Sequence, residues 1–202
     1  MKSDDSHFQE AAGRFRAAHA EDPRRVTVGE TQMPWSLLYH QRLVHWVNRL
    51  NPMASEELLL AASCQHIRRW AIPRDQFPAG KSGYKRWRKR LASFHAEQAG
   101  EILREIGYDS AVIERVKSLL QKFRLKLDPE VQMLEDAICL VFLENEFSEF
   151  SGKHDRNKLQ GILQKTWLKM SSRGREAAQE VVSKLATEDR EKVESALSSS
   201  SS

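Results

Sequence analysis

The stretch D-P-E-V-Q-M-L-E-D-A-I-C-L-V-F-L-E, Asp128 to Glu144, decides the fold class. Asp128 supplies a helix N-cap and Pro129 the proline favoured at the first helical position. From Val131 onward apolar side chains fill nearly every side of the helix, so the segment belongs in the middle of a core. Outward from it, nearly every other segment repeats the helical period, while alternating β-branched runs and Asn-Gly or Asp-Gly hairpin signals are missing. The expected fold class is all-α.

The periodicity predicts helices over Ser6 to His19, Pro34 to Leu50, from Asn51-Pro52 into the Arg68-Arg69 pair, Gly83 to Ile106, and Asp109 or Ser110 to Phe123. Three more polar helices follow at about Asp155 to Met170, Ser172 to Ala186 and Glu188 to Leu197. E-D-P-R-R-V-T-V-G-E-T reads as a connector, and I-P-R-D-Q-F-P-A-G-K-S-G as an irregular loop, long for a helical bundle. The expected organisation is an N-terminal helix in 1–25, a helical core in 26–150 with a basic loop at 71–90, C-terminal helices in 151–197 packing on that core, and a disordered serine tail at 198–202.

With 32 Lys and Arg against 28 Asp and Glu, the 202-residue chain carries a formal charge of +4, a mild bias towards anions rather than a nucleic-acid signature. Cys64 and Cys139 sit inside apolar helical patterns without CxxC spacing, which predicts two core thiols in a reducing compartment. No secretory leader is evident, and no apolar run approaches the roughly 18 residues that cross a bilayer. A soluble cytoplasmic protein without membrane contact is expected, a nuclear location being left open.

Five titratable groups fall on apolar helix faces. His40 shares its face with Leu37, Leu43 and Val44; His66 with Leu59, Ala62 and Trp70; His95 with Leu91, Ala99 and Ile102. Asp136 keeps Met133, Leu140 and Leu143, and Glu135 keeps Val131, Ile138 and Phe142. A lone histidine on such a face is more often a hydrogen-bonded core residue than a ligand. A buried carboxylate needs a cation, with Arg42, Arg68 and Arg69 as available partners. Three histidines and an aspartate are also a usual ligand set for a divalent transition metal.

The order of these residues resembles the HD-domain superfamily of helical metal-dependent phosphohydrolases and related oxygenases. Y-H-Q-R-L around His40 looks like the family's first histidine element, A-A-S-C-Q-H like its A-A-x-x-H-D, F-H-A-E-Q-A-G around His95 like an additional histidine, and L-E-D-A-I-C-L like its distal aspartate segment. In strict register Gln65 stands where the family has histidine and His66 where it has aspartate, while Lys122 stands about where larger ligand sets add a histidine. The resemblance therefore implies an HD-like bundle with C-terminal additions and one metal (Fe, Mn, Zn or similar) held by His40, His66, His95 and Asp136. Glu135 would move protons and Lys122 would supply positive charge. Y-H-Q-R, C-Q-H-I-R-R-W-A-I-P-R, G-Y-K-R-W-R and L-E-D-A-I-C-L-V-F-L-E also resemble a conserved family, the domain of unknown function 4202. Some members carry a glutamyl-tRNA synthetase label, but K-M-S-S-R at Lys169 lacks the context of a synthetase motif.

Arg69, Arg74, Lys81, Arg86 and Arg90 surround the long loop and are the expected anion-binding residues, with Gln65 and Tyr84 nearby. Two functions follow. The first is a metal-dependent hydrolase acting on a phosphorylated or otherwise anionic small molecule or nucleotide, with iron permitting oxygenase chemistry instead. The second is a non-catalytic RNA- or anion-binding module in which Tyr84 and Trp87 stack between the bases of segment 81–90.

Overall fold

A computed structural model describes residues 5–198. In chain order it forms α1 (Asp5–Ala20), β1 (Arg25–Val28), β2 (Thr31–Pro34), α2 (Trp35–Leu50), α3 (Glu56–Cys64), α4 (Gly80–Ile106), α5 (Ser110–Leu120), α6 (Pro129–Val141), α7 (Phe147–Ser151), α8 (Arg156–Lys169), α9 (Ser172–Ser183) and α10 (Thr187–Ser198). The fold is all-α apart from the β1–β2 hairpin. Of the expected serine tail, residues 199–202 lie outside the described residues. Among the described residues no helix is long and apolar enough to cross a membrane.

The hairpin occupies the segment read as a connector. Arg25 pairs with Pro34 and Val28 with Thr31, closing on Gly29-Glu30 with Gly29 at φ 60. Glycine at the first central position suits the twist of a two-residue turn. At the next boundary Asn51 ends α2, its N–H donating to the Val47 carbonyl at 2.8 Å. Ser55 starts α3 instead, accepting from the Leu58 N–H at 3.1 Å, and Glu56 and Glu57 add negative charge to the first turn.

The chain divides into two compact units, and the expected 26–150 core is shared out between them. The first comprises residues up to His45 together with Met53–Phe123; the second comprises Trp46–Pro52 and the chain from Arg124 onward. In the first unit α4 packs on α5 and α1, and α3 packs on the same two helices. Phe15, Leu43, Leu58, Ile67, Leu91 and Leu119 fill that core. Gly100 lets α5 approach closely, for a β-carbon there would stand 3.3 Å from Lys117 Cδ.

In the second unit α6 packs on α8 and α9, and α10 packs on α8. Val131, Leu134, Leu140 and Phe147 are buried there, as expected of a helix apolar on nearly every side. Phe142–Glu146 widens into a π turn before α7, and the Trp46 Nε1–H donates to Glu144 Oε2 at 2.8 Å. Cys64 and Cys139 are free and buried, one in each unit, as the sequence predicts; burial pushes the Cys64 thiol far up.

Candidate functional site

Four buried or half-buried histidines gather in the first unit: His19 from α1, His40 from α2, His66 just after α3, and His95 from α4. The His19 and His40 rings stack 3.6 Å apart, and those of His66 and His95 meet edge-on at 5.7 Å. Hydrogen bonds set their tautomers. The Ser36 carbonyl can only accept, so His40 Nδ1 donates to it at 2.6 Å, leaving Nε2 to accept from the His66 N–H at 3.2 Å. Likewise His19 Nε2 donates to the Ser63 carbonyl at 2.8 Å, and its Nδ1 meets the Ser36 hydroxyl at 3.1 Å. His40 is thereby neutral, and both rings have each nitrogen hydrogen-bonded.

His95 differs. Its Nδ1 donates to the Ile67 carbonyl at 2.8 Å, which places the lone pair on Nε2, and that enclosed atom has no hydrogen-bond partner among the described residues. His66 Nδ1 and Gln65 Oε1 share this condition. All three residues line one cleft of about 440 Å³, within the range of small-molecule sites. Four cationic side chains also line it: Arg69, Arg88, Lys89 and Lys122. Among the described residues no Asp or Glu does so. Burial chiefly, then the Arg69 charge, holds His66 well below the ordinary imidazole range. Burial chiefly, aided by Arg69 and Arg88, holds His95 at about 4. Burial likewise holds His19 at about 4 and His40 well below its ordinary value, the stacked His19 adding to the effect on His40.

The other expected residues take different places. Asp136 is buried in the second unit, where its carboxylate accepts from the Ser171 N–H (2.8 Å), the Ser171 hydroxyl (2.5 Å) and Gln132 Nε2 (2.9 Å). Gly174 makes room for it, since a β-carbon there would lie 2.5 Å from Asp136 Cγ. Glu135, also buried in that unit, pairs with Lys169 at 3.4 Å. Of the four residues that the HD resemblance implies as ligands, His40 has both ring nitrogens and Asp136 both carboxylate oxygens hydrogen-bonded within its own unit. Among the described residues no three His, Cys, Asp or Glu side chains are disposed to hold a metal ion.

Of the expected anion binders, Arg69 lines the cleft, its guanidinium lying over the Trp87 ring at 4.7 Å. Arg74 instead gathers the loop carbonyls of Phe77, Pro78 and Gly80 at 2.7, 2.9 and 3.4 Å. Arg90 pairs with Glu97 at 3.2 Å, while Lys81, Arg86 and Tyr84 are exposed away from the cleft lining. Trp87 is buried and its indole N–H donates to the Ile72 carbonyl at 2.9 Å, so of the Tyr84–Trp87 pair only Tyr84 faces solvent.

His19 and Ser36 escape the sequence reading, which takes Arg88 and Lys89 only as part of the basic segment 81–90. A signal existed for two of them: Arg88 lies two helical turns before His95 and so on its face, and His19 follows Phe15 and Ala12 on one stripe of α1. Two non-glycine residues in the left-handed region, Arg68 at φ 49 and Lys122 at φ 56, make the tight turns after α3 and α5 that border the cleft.

The fold and cleft define an all-α protein with a cationic, imidazole-floored site. The chain belongs to the family described as the domain of unknown function DUF4202, whose model matches residues 9–193. No curated protein and no solved structure matches it.

Proposed function

We propose that the first unit's cleft binds a phosphorylated small molecule or nucleotide and hydrolyses its phosphate ester. One observation carries this reading: a neutral imidazole with an open lone pair, His95 Nε2, lies in the same cleft as four cations and no lining carboxylate. Arg69 and Arg88 present forked donors suited to phosphate oxygens, and Lys89 and Lys122 add charge. Arg69 is steadied by its stacking on Trp87. Water beside His95 gives its proton to Nε2 and attacks phosphorus, the ester P–O bond breaks, and the leaving oxygen takes a proton from the Lys122 ammonium. Solvent restores both groups. The Ile67 carbonyl keeps the lone pair on Nε2.

The test is phosphate release from a panel of phosphomonoesters and nucleotides, with and without Mn²⁺, Fe²⁺ or Zn²⁺. Divalent ions are included because His66 Nδ1, His95 Nε2 and Gln65 Oε1 are the open donor atoms such an ion would meet in this cleft. His95→Gln is expected to lower kcat by about 10²-fold or more. Arg88→Ala should act mainly on KM, by about tenfold. Release from no substrate under any metal condition would reduce the cleft to a binding site.

A further inference from the structure

Hydrolysis accounts for His95 and the four cations but leaves two enclosed polar atoms unused. Gln65 is 3 % exposed, and among the described residues its Oε1 has no hydrogen-bond partner; His66 Nδ1, in the same cleft, is equally unmatched. A buried carbonyl oxygen without a donor is destabilising, so a side chain placed in this way gains from any ligand that brings an N–H or O–H group to it. His40 fixes the neighbouring backbone by accepting from the His66 N–H at 3.2 Å, so His66 is held in place.

We propose that Gln65 and His66 select the organic part of the substrate, Gln65 accepting from and His66 hydrogen-bonding with its hydroxyl or amino groups while the cations hold the phosphate. This rests on the reading of the cleft as a phosphoester site. The ligand class is then a phosphate monoester of a polyhydroxylated or amino-bearing alcohol of sugar-phosphate or nucleotide size. An apolar ester of equal charge leaves both polar atoms unmatched. Sites built to hydrogen-bond a substrate reject analogues lacking the donor more strongly than apolar pockets reject an extra hydroxyl.

The experiment is calorimetric titration of the full chain with inorganic phosphate, ribose 5-phosphate, glucosamine 6-phosphate, butyl phosphate and phenyl phosphate, in wild type and Gln65→Leu. The wild type should bind the hydroxyl- and amino-bearing esters at least about tenfold tighter than the alkyl and aryl esters, and Gln65→Leu should shrink that ratio by about tenfold. Equal affinities across the esters, or a ratio unchanged by the substitution in a folded variant, overturn the proposal while leaving the phosphoester reading intact. Binding of no phosphate compound, inorganic phosphate included, overturns both. Mn²⁺ uptake that depends on Gln65 would assign these atoms to a cation and also overturn the proposal. If circular dichroism shows Gln65→Leu unfolded, Gln65→Met carries the same comparison, and the wild-type panel decides by itself whether the preference exists.

Discussion

His40 and Asp136 show how one residue's burial is read more easily than its role. Both lie on the apolar stripes that the sequence displays, and both are buried. Which atoms meet them depends on segments distant in sequence: His40 Nε2 takes the His66 N–H, and Asp136 takes the backbone and hydroxyl of Ser171. Replacing His40 by Ala removes the stacking partner of His19 and leaves the His66 N–H without its acceptor. A loss of about 2–4 kcal/mol in urea unfolding is expected. Gly174→Ala drives a β-carbon to 2.5 Å from Asp136 Cγ. It should cost about 1–3 kcal/mol in the same measurement, with Asp136 losing its hold on the start of α9.

At the scale of elements, α4 carries the cleft because one of its faces bears Arg88, Ala92 and His95 together. Arg86 sits half a turn away from His95 in helical phase and is exposed. The loop before α4 is folded back on that helix's first turn, since a β-carbon on Gly83 would stand 1.8 Å from the Pro78 carbonyl oxygen. Arg74 ties the loop's carbonyls from the other side. Gly83→Ala should therefore push the loop off the helix, and Arg74→Ala should loosen it without a clash. Both variants are expected to show faster limited proteolysis within residues 72–80, and Gly83→Ala should also lose about 2 kcal/mol or more of stability. The β1–β2 hairpin was illegible for a local reason: its strands are four residues each, and Gly29-Glu30 is a weaker turn signal than Asn-Gly.

For the molecule as a whole, the buried histidines make stability depend on pH. His19 titrates at about 4 in the folded chain against an ordinary value of 6.5, and His40 is also held well below it. Between those values the unfolded chain binds a proton that the folded chain refuses, so stability is full above about pH 6.5 and falls as the pH drops towards 4. His19 alone accounts for a loss on the order of 3 kcal/mol across that window. Urea unfolding at pH 7.5, 6.0, 5.0 and 4.5 should show the decline, and His19→Gln should make it shallower without abolishing it, because His40, His66 and His95 also titrate low. A midpoint that does not move between pH 7.5 and 4.5 would contradict the neutral histidine stack.

The sequence by itself determined the helical class, most helix boundaries through their caps, the burial of Cys64, Cys139, His40, His95, Glu135 and Asp136, and membership of the matched family. Each of these is written in residues three or four apart, in a cap and its first turn, or in the order of motifs along the chain. Only the tertiary structure decided that His19 stacks on His40, that Arg88 rather than Arg86 lines the cleft, and that Asp136 is spent within the second unit on Ser171 and Gln132. A helical stripe states that a side chain turns inward. What it meets there is set by packing among helices tens of residues apart, through contacts that no local spacing encodes.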